Sequence, residues 1–382
     1  MDLFSPLSCS GAQLLRDFHG EMQNQQGAPE LPRASTDSAP AGQLPNCGSS
    51  FLHSFYLTTL AAIDRIRFPG VFPDLTQLAR EQKPPEPPLE KSHDSDDMEK
   101  SFQELYRRDQ EEFKRKIATP GEQPELARDD NDQPHQARYR RIRNATPFVQ
   151  GTSDTGAIAP DDVKQGKLGD CWLLASLAAL ASARPDIVEK AIIDHGDGSY
   201  TVSLPGLEHD MGKGLEVKVD SLFPGGEGPE GRPLYAGAGD SEGGKNEIWP
   251  MLIEKAFAKA KIMNYQYIDG DNPAIALTSL TGKETRTIKV NDEGVDAFEE
   301  MKRGIENRSP MVLGTRRSTG EPEDGRLFLN AGLNDCHAHA VIGTSMEDGK
   351  KMVHLYDPHG REIKVEWDSV KNLFQSLVIL SE

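Results

Sequence analysis

The stretch QGKLGDCWLLASLAALA, residues 165–181, decides the fold of this chain. From Cys171 onward it is apolar on every side, which predicts a central helix that is buried all round. Gly169 and Asp170 stand just before that run, and aspartate is a favoured residue at a helix N-cap. The sequence therefore places a cysteine in the first turn of a buried helix, where leucine or alanine would pack as well.

A cysteine at this place predicts chemistry. A helix N-terminus stabilises a thiolate through its unpaired N–H groups and the helix dipole, so Cys171 is a candidate nucleophile that needs a base. The stretch NDCHAHAVIG offers His337 and His339 on a predicted strand. An imidazole base needs an acceptor that holds its orientation, and Asp357 in VHLYDPHG ends another strand. The sequence predicts a Cys–His–Asp arrangement in which either histidine can be the base.

Outward from this helix, residues 145–382 have the pattern of a packed α+β domain. The stretch EIWPMLIEKAFAKAKI, residues 247–262, predicts a second helix with Pro250 in its first turn. After it come short alternating stretches separated by Gly, Asn and Asp turns, which are typical of strands. We expect a helical lobe at about 145–283 and a β lobe at about 284–382, with a cleft between them.

Residues 1–144 differ in composition, because Pro, Gln, Ser and acidic residues dominate long parts of them. We expect a largely disordered region with short helices at about 51–66 and 97–117. The second helix carries an apolar stripe, and the downstream domain, another subunit or a different protein can cover it. This region can serve as a targeting segment, as an inhibitory segment over the cleft, or as an arm that binds a partner.

Composition limits the partners. The net charge of −18 argues against non-specific binding of nucleic acid, which needs a basic surface. The sequence predicts no membrane span and has no readable secretory signal. We therefore expect protein substrates, and a location in the cytoplasm or export without a signal peptide. Four scattered cysteines predict neither a disulfide framework nor a zinc site.

Together, these motifs resemble the catalytic core of calpain-type cysteine peptidases, within the papain-like superfamily. Residues 165–180 resemble the active-site segment of that family. NEIWPMLIEKAFAK (246–259), HAHAVIG (337–343) and YDPHG (356–360) follow in the order of the family's motifs. The resemblance covers residues 145–382. It implies a two-lobed papain-like fold and an endopeptidase that works through an acyl-enzyme.

The resemblance also implies roles for single residues. Cys171 is the implied nucleophile, and His337 rather than His339 is the implied base, because the family's spacing to a closing glycine fits His337. Gln165 is implied as a side-chain donor in the oxyanion hole, where one fixed donor is worth about 3 kcal/mol of barrier. Asp357 replaces the family's asparagine. Its negative charge favours a protonated imidazole, so we expect the activity to survive.

Two further expectations depend on the resemblance. His359 stands where the family has a tryptophan, so we expect the catalytic pair to lose an aromatic cover and the reaction to be slower. Asp162 and Glu247 match acidic ligands of a calcium site in the family, although two carboxylates alone make a weak calcium site. The chemistry itself requires no cofactor, and calcium dependence stays open.

Other functions also stay open at this point. A Cys–His–Asp triad also serves transglutaminase-like acyltransferases, which pass the acyl group to an amine. The chain can also be a non-catalytic binding protein that keeps the calpain fold. In addition, Cys336 stands next to His337, and a disulfide between Cys336 and Cys171 would switch an enzyme off.

Overall fold

The computed structural model describes residues 93–129, 131–151, 156–209, 212–225, 232–237, 239, 241–242 and 244–381. The helix predicted at residues 51–66 lies outside the described residues. The helix predicted at residues 97–117 is present and extends over His93–Ile117 (α1).

Helix α2 coincides with the apolar run predicted as a helix, and Arg184 separates it from α3, which begins at Pro185. Helices α3, α4, α5 and α7 carry a proline in their first turn, where a missing N–H costs no hydrogen bond. The helices after α1 are α2 (Cys171–Ala183), α3 (Pro185–Ala191), α4 (Trp249–Ala260), α5 (Pro273–Thr281), α6 (Ala297–Glu306), α7 (Pro322–Ala331) and α8 (Trp367–Val370).

The strands are β1 (Arg138–Arg141), β2 (Ala145–Thr146), β3 (Ile192–Asp194), β4 (Ser199–His209), β5 (Gly212–Asp220), β6 (Leu222–Gly225), β7 (Ser241–Glu242), β8 (Lys245–Glu247), β9 (Thr285–Lys289), β10 (Met311–Thr315), β11 (Ala338–Glu347), β12 (Lys350–Asp357), β13 (Arg361–Glu366) and β14 (Phe374–Leu380). Strands β9 to β14 form a six-stranded antiparallel sheet in the order β13-β12-β11-β10-β14-β9. Smaller sheets have the orders β3-β4-β5, β2-β8-β7 and β1-β6. The fold is α+β with two lobes, as predicted.

The second lobe is built around the six-stranded sheet, which has a hydrophobic core on each face. Ala338 and Ala340 of β11 pack into the core that contains α2, whereas Val341 packs into the core that contains α6. This alternation is expected for a strand that is buried on both faces. The small alanine side chains allow helix α2 to lie close against β11.

Two tight hairpins arrange the strands of this sheet. Asp348 and Gly349, with φ angles of 50° and 79°, join β11 to β12 in the two-residue turn that suits a hairpin. A three-residue loop, residues 358–360, joins β12 to β13, and Gly360 adopts a φ of 87° there. This loop places Asp357 at the end of β12, directly opposite Arg361.

The first lobe is built around α2, whose residues from Trp172 to Ala181 are all buried. The indole Nε1 of Trp172 donates a 2.9 Å hydrogen bond to the carbonyl of Ile268. The edge of the Trp172 ring faces Phe257 of α4, with 6.0 Å between ring centroids. The apolar run therefore forms the centre of the lobe, as its composition predicted.

The structure adds elements to both predicted lobes and extends the packed part of the chain. The lobe predicted as helical also contains the β3-β4-β5 sheet, and the β lobe contains α6 and α7. The packed part of the chain also begins before residue 145, because Ile117 and Ala127 are buried in the same core as α2. The sequence boundary was placed too late because residues 113–144 contain few apolar residues.

Two buried lysines of α4 hold this earlier segment in place. Lys259 Nζ donates to the carbonyls of Thr119 and Lys218, at 2.8 and 2.7 Å, and so ties the end of α1 to β5. Lys255 Nζ pairs with Asp220 and donates to the carbonyl of Leu222. Burial lowers the pKa of each lysine to about 8. Residues from the end of α1 onward are therefore part of the packed domain.

Among the described residues, no single helix is long and apolar enough to cross a membrane. The pair α2 and α3 reaches the required length and hydropathy together, but the two helices meet at an angle of 116°.

Truncation of a side chain in α2 should destabilise the protein strongly. We expect Leu177→Ala to lower the free energy of unfolding by about 2–5 kcal/mol, because Leu177 is fully buried and a cavity would remain. Chemical denaturation would measure the change. Leu329→Ala is the matched control, since Leu329 is 76% exposed on α7, and it should change stability by less than about 0.5 kcal/mol. Equal effects of the two substitutions would contradict the central place of α2.

Candidate active site

Cys171 is the first residue of α2, and Asp170 occupies the N-cap position. The Asp170 side chain makes no capping hydrogen bond, which differs from the sequence expectation. Its carboxyl group is instead fully buried and shares a hydrogen bond with Glu254 of α4. Burial raises the pKa of Asp170 to about 7 and that of Glu254 well above its usual value. The pair therefore holds a proton at neutral pH, directly beneath the cysteine.

His337 immediately precedes β11, and Thr315 contacts both its backbone N–H and its backbone carbonyl. The Thr315 hydroxyl lies 2.9 Å from the His337 N–H and 3.0 Å from its carbonyl oxygen. Cys336 turns the chain into the strand with a φ of 47°. The Nε2 atom of His337 lies 2.9 Å from Asp357 Oδ1, and this pairing leaves Nδ1 available to a thiol.

Asp357 is completely buried, yet its environment keeps it ionised. Oδ1 accepts hydrogen bonds from His337 Nε2 and from the backbone N–H and Nδ1 of His359, and Oδ2 accepts from Arg361. Burial alone would raise the pKa of this carboxyl group. The hydrogen bonds from His337, His359 and Arg361 outweigh burial and hold the pKa well below its usual range.

His339 lies inside the second lobe and does not reach Asp357 by a hydrogen bond. Its ring meets His337 edge-on, with centroids 4.9 Å apart, and it also contacts Phe374. Burial, together with the neighbouring His337, lowers the pKa of His339 to about 3. All three side chains therefore lie close together, with His337, His339 and Asp357 ligand atoms within 4.8 Å of one another, but only His337 is paired with Asp357 by a hydrogen bond.

The sulfur of Cys171 lies next to the strand that follows His337. The backbone N–H groups of Ala338 and Trp172 interact with this sulfur and favour its ionised form. Burial opposes them more strongly, and with the nearby charge of Asp170 it raises the pKa of the thiol to about 12. The N-terminus of α2 therefore does not offset burial on its own, in line with the expectation that Cys171 needs a base. A thiolate here requires transfer of the proton to a base.

Gln165 connects the two lobes at the site. Its backbone N–H donates a 2.7 Å hydrogen bond to the carbonyl of Pro358, in the loop that follows Asp357. Its side-chain Nε2 donates to the carbonyl of Leu168 at 2.8 Å. This contact uses one of the two N–H groups of the amide, so the second remains for a substrate oxygen.

Asp162 and Glu247 lie side by side, and they are 1% and 0% exposed. Asp162 Oδ2 accepts hydrogen bonds from Ala159 N–H and Trp249 Nε1, and Glu247 Oε1 accepts from Val149 N–H. The Gly239 backbone passes so close that a Cβ there would overlap Glu247 Oε2. Two buried carboxylates beside a closely approaching backbone provide the hard oxygen donors that Ca²⁺ prefers. The residues present therefore fit this cation.

The sequence reasoning missed several residues of the site. Glu254 and Thr315 carry no local signal of their contacts, because each meets its partner only through the folding of distant segments. His359 was expected to leave the base uncovered, but its ring stacks on His337, with centroids 4.9 Å apart. The short DPHGR loop was the available signal for His359 and Arg361. Cys171 and Cys336 are not joined by a disulfide in this structure.

Comparisons with known proteins agree with this arrangement. Residues 113–376 match the family model described as calpain family cysteine protease. The calpain clp-1 of Caenorhabditis elegans is 29% identical over 215 residues, which cover 54% of this chain and 26% of that protein. Mouse calpain-9 is 27% identical over 221 residues, 56% of this chain and 30% of that protein. The human calpain-1 catalytic subunit is 27% identical over 234 residues, 59% of this chain and 30% of that protein.

The chain therefore spans less than a third of the length of these relatives. The matched segment begins at residue 113, earlier than the resemblance found from the motifs, and close to the start of the packed residues at Ile117.

The buried Asp170–Glu254 pair should make the protein less stable as pH rises. The unfolded chain releases these protons near pH 4, but the folded chain keeps one on Asp170 to about pH 7 and Glu254 also holds its proton above the usual range. The unfolded state thus binds fewer protons over this window, so the free energy of unfolding should fall by about 1 kcal/mol per pH unit. Denaturation between pH 4.5 and 8 would measure this slope.

The substitution Glu254→Gln separates this pair from other titrating groups. The amide can donate to Asp170 at every pH, so most of the decline in stability between pH 4.5 and 8 should disappear. Glu299→Gln is the control, because Glu299 lies on the exposed side of α6 with a side chain 52% accessible. A slope that stays unchanged in Glu254→Gln would show that the two carboxyl groups share no proton.

Proposed function

Because this chain belongs to the calpain family of cysteine proteases, we propose that it is a cysteine-type endopeptidase that cleaves protein substrates with Cys171 as the nucleophile. The observation that carries this proposal is the hydrogen bond between His337 and Asp357. The residue after His337 is Ala338, whose backbone N–H interacts with the Cys171 sulfur. In this proposal Cys171 is the nucleophile, His337 is the base and Asp357 orients the base.

The reaction begins with a proton transfer. His337 Nδ1 takes the proton of the Cys171 thiol, and the Asp357 carboxylate stabilises the imidazolium through Nε2. Since burial holds the pKa of the thiol near 12, the thiolate exists as one half of this ion pair. The two charges offset each other in an environment where each alone would be costly.

The thiolate then attacks the carbonyl carbon of the scissile peptide, and the carbonyl oxygen takes up the negative charge. The backbone N–H of Cys171 and the side-chain amide of Gln165 are the donors for that oxygen. When the C–N bond breaks, His337 gives its proton to the leaving amine, and a thioester with Cys171 remains. His337 next takes a proton from water, and the hydroxide attacks the thioester carbon. The C–S bond then breaks, the carboxylic acid product leaves, and His337 returns the proton to the sulfur of Cys171.

Calcium is proposed as a regulator of this site. Asp162 and Glu247 would hold the ion, which would supply positive charge against two buried carboxylates. Asp162 stands nine residues before Cys171, and Glu247 stands two residues before the start of α4. Binding between them would fix the segments that lead into both central helices. This would favour the approach of Cys171 to His337.

Substitution of the nucleophile should abolish cleavage. We expect the full chain to cleave an unstructured protein such as casein, and Cys171→Ala to lower the rate by about 10³-fold or more. Cys336→Ala is the matched control, because Cys336 is also a partly buried cysteine and stands next to His337, and it should keep most of the activity. Electrophoresis and mass spectrometry of the products would measure cleavage.

The same assay includes a labelled primary amine, which separates hydrolysis from acyl transfer. Incorporation of the amine in place of cleavage would favour a transglutaminase-like reaction and contradict the proposal. Equal results for the full chain and Cys171→Ala would indicate a binding protein without catalysis.

Calcium binding has a test that does not depend on activity. In the Cys171→Ala background, which prevents self-cleavage, millimolar Ca²⁺ should raise the melting temperature by a few degrees, because a ligand that binds only the folded state stabilises it. Asp162→Asn should remove this shift. Asp161→Asn is the control, since its side chain is exposed one residue away. A melting temperature that does not respond to Ca²⁺ would contradict the calcium proposal.

A further inference from the structure

His359 lies between the His337–Asp357 pair and solvent. Its ring stacks on the His337 ring at 4.9 Å between centroids and 27° between planes. Its side chain is 43% exposed, whereas that of His337 is 7% and that of Asp357 is 0% exposed. The imidazole of His359 thus covers the outer face of the proposed base.

His359 also bonds to the residue that orients the base. Its Nδ1 lies 2.9 Å from Asp357 Oδ1, and its backbone N–H donates to the same oxygen at 3.0 Å. That oxygen is the one that His337 Nε2 contacts. A phenyl ring at this place could cover His337 but could not donate to the carboxylate. The imidazole does both.

We propose that His359 is a positioning residue, which covers His337 and holds Asp357 in the orientation that His337 needs. This inference rests on the proposed thiol chemistry. In this arrangement His359 touches no reacting atom, so it acts through its two neighbours, His337 and Asp357.

The backbone fixes the ring in this place. Residues 358–360 form a three-residue hairpin loop, in which the Gly360 N–H donates to the Asp357 carbonyl at 2.9 Å. The Pro358 carbonyl accepts the N–H of Gln165 at 2.7 Å. The loop is therefore tied at one side to β12 and at the other side to the segment that leads to Cys171. Little movement of His359 is compatible with both contacts.

Three substitutions separate the two contacts of the ring. His359→Phe keeps the stacking and removes the donor, His359→Asn keeps a side-chain N–H donor and removes the stacking, and His359→Ala removes both. His354→Phe is the control. His354 lies on β12, the strand that leads into the loop of His359, but it pairs with Ser345, away from the site.

Two measurements follow for each variant: kcat and KM for cleavage against pH, and the rate at which iodoacetamide alkylates Cys171 against pH. Mass spectrometry of the peptide that contains Cys171 distinguishes it from the other cysteines. The alkylation rate reports the thiolate even if no good protein substrate is at hand.

In His359→Phe, kcat and the alkylation rate of Cys171 should drop about tenfold near neutral pH with little change in KM, as expected for loss of one hydrogen bond to a charged group. His359→Asn should keep more of kcat than His359→Ala. His354→Phe should match the natural sequence in both measurements.

Unchanged kcat and unchanged alkylation rates in His359→Phe and His359→Ala, with normal cleavage by the natural sequence, would overturn this inference and leave the proposed function standing. A rise in KM with unchanged kcat would also overturn it, because His359 would then be a substrate contact. If the natural sequence neither cleaves protein nor shows faster alkylation of Cys171 than of Cys336, the proposed function fails, and this inference fails with it.

Discussion

A single buried carboxylate, that of Asp357, organises the candidate site. It receives N–H donors from the base, from the covering histidine and from an arginine on the next strand. A carboxylate without exposure to water is stable only when its oxygens are satisfied in this way. The orientation of His337, the stacking of His359 and the position of the loop against Gln165 all depend on this charge. Its loss would therefore disturb several parts of the site at once.

The second constraint is the neutral state of the sulfur. The elements that bring Cys171 into contact with the sheet also bury it, so α2 gives the thiol a precise place but does not ionise it. The sulfur becomes a thiolate only when His337 accepts its proton, and this requires the two groups to be close together. This division makes the distance between the lobes a natural point of control. It also explains why buried acidic residues beneath and beside the helices are held protonated or paired, since further negative charge would oppose the thiolate.

Local pattern was sufficient to predict some parts of the structure. The helix from Cys171 to Ala183, the strand β11 that follows His337 and the strand β12 that ends at Asp357 can be predicted from apolar runs, alternation and turn residues. The choice between His337 and His339 could not be made from alternation, because residues two apart in a strand point to the same face. The Asp170 contact with Glu254 was equally hidden, since it joins residues more than eighty positions apart in the sequence. The strands β3 to β5 were missed because tertiary packing, not local propensity, selects them.

The contacts of Lys259, a buried lysine of α4, also limit how this chain can be shortened. Lys259 is anchored to the carbonyl of Thr119, and Ile117 lies in the same core as the central helix. A cut between Thr119 and Ala145 would leave a buried cation short of an acceptor and would open that core. Proteolytic maturation that preserves the folded catalytic part must therefore occur upstream of the last turn of α1. A minimal stable fragment would have to start there as well.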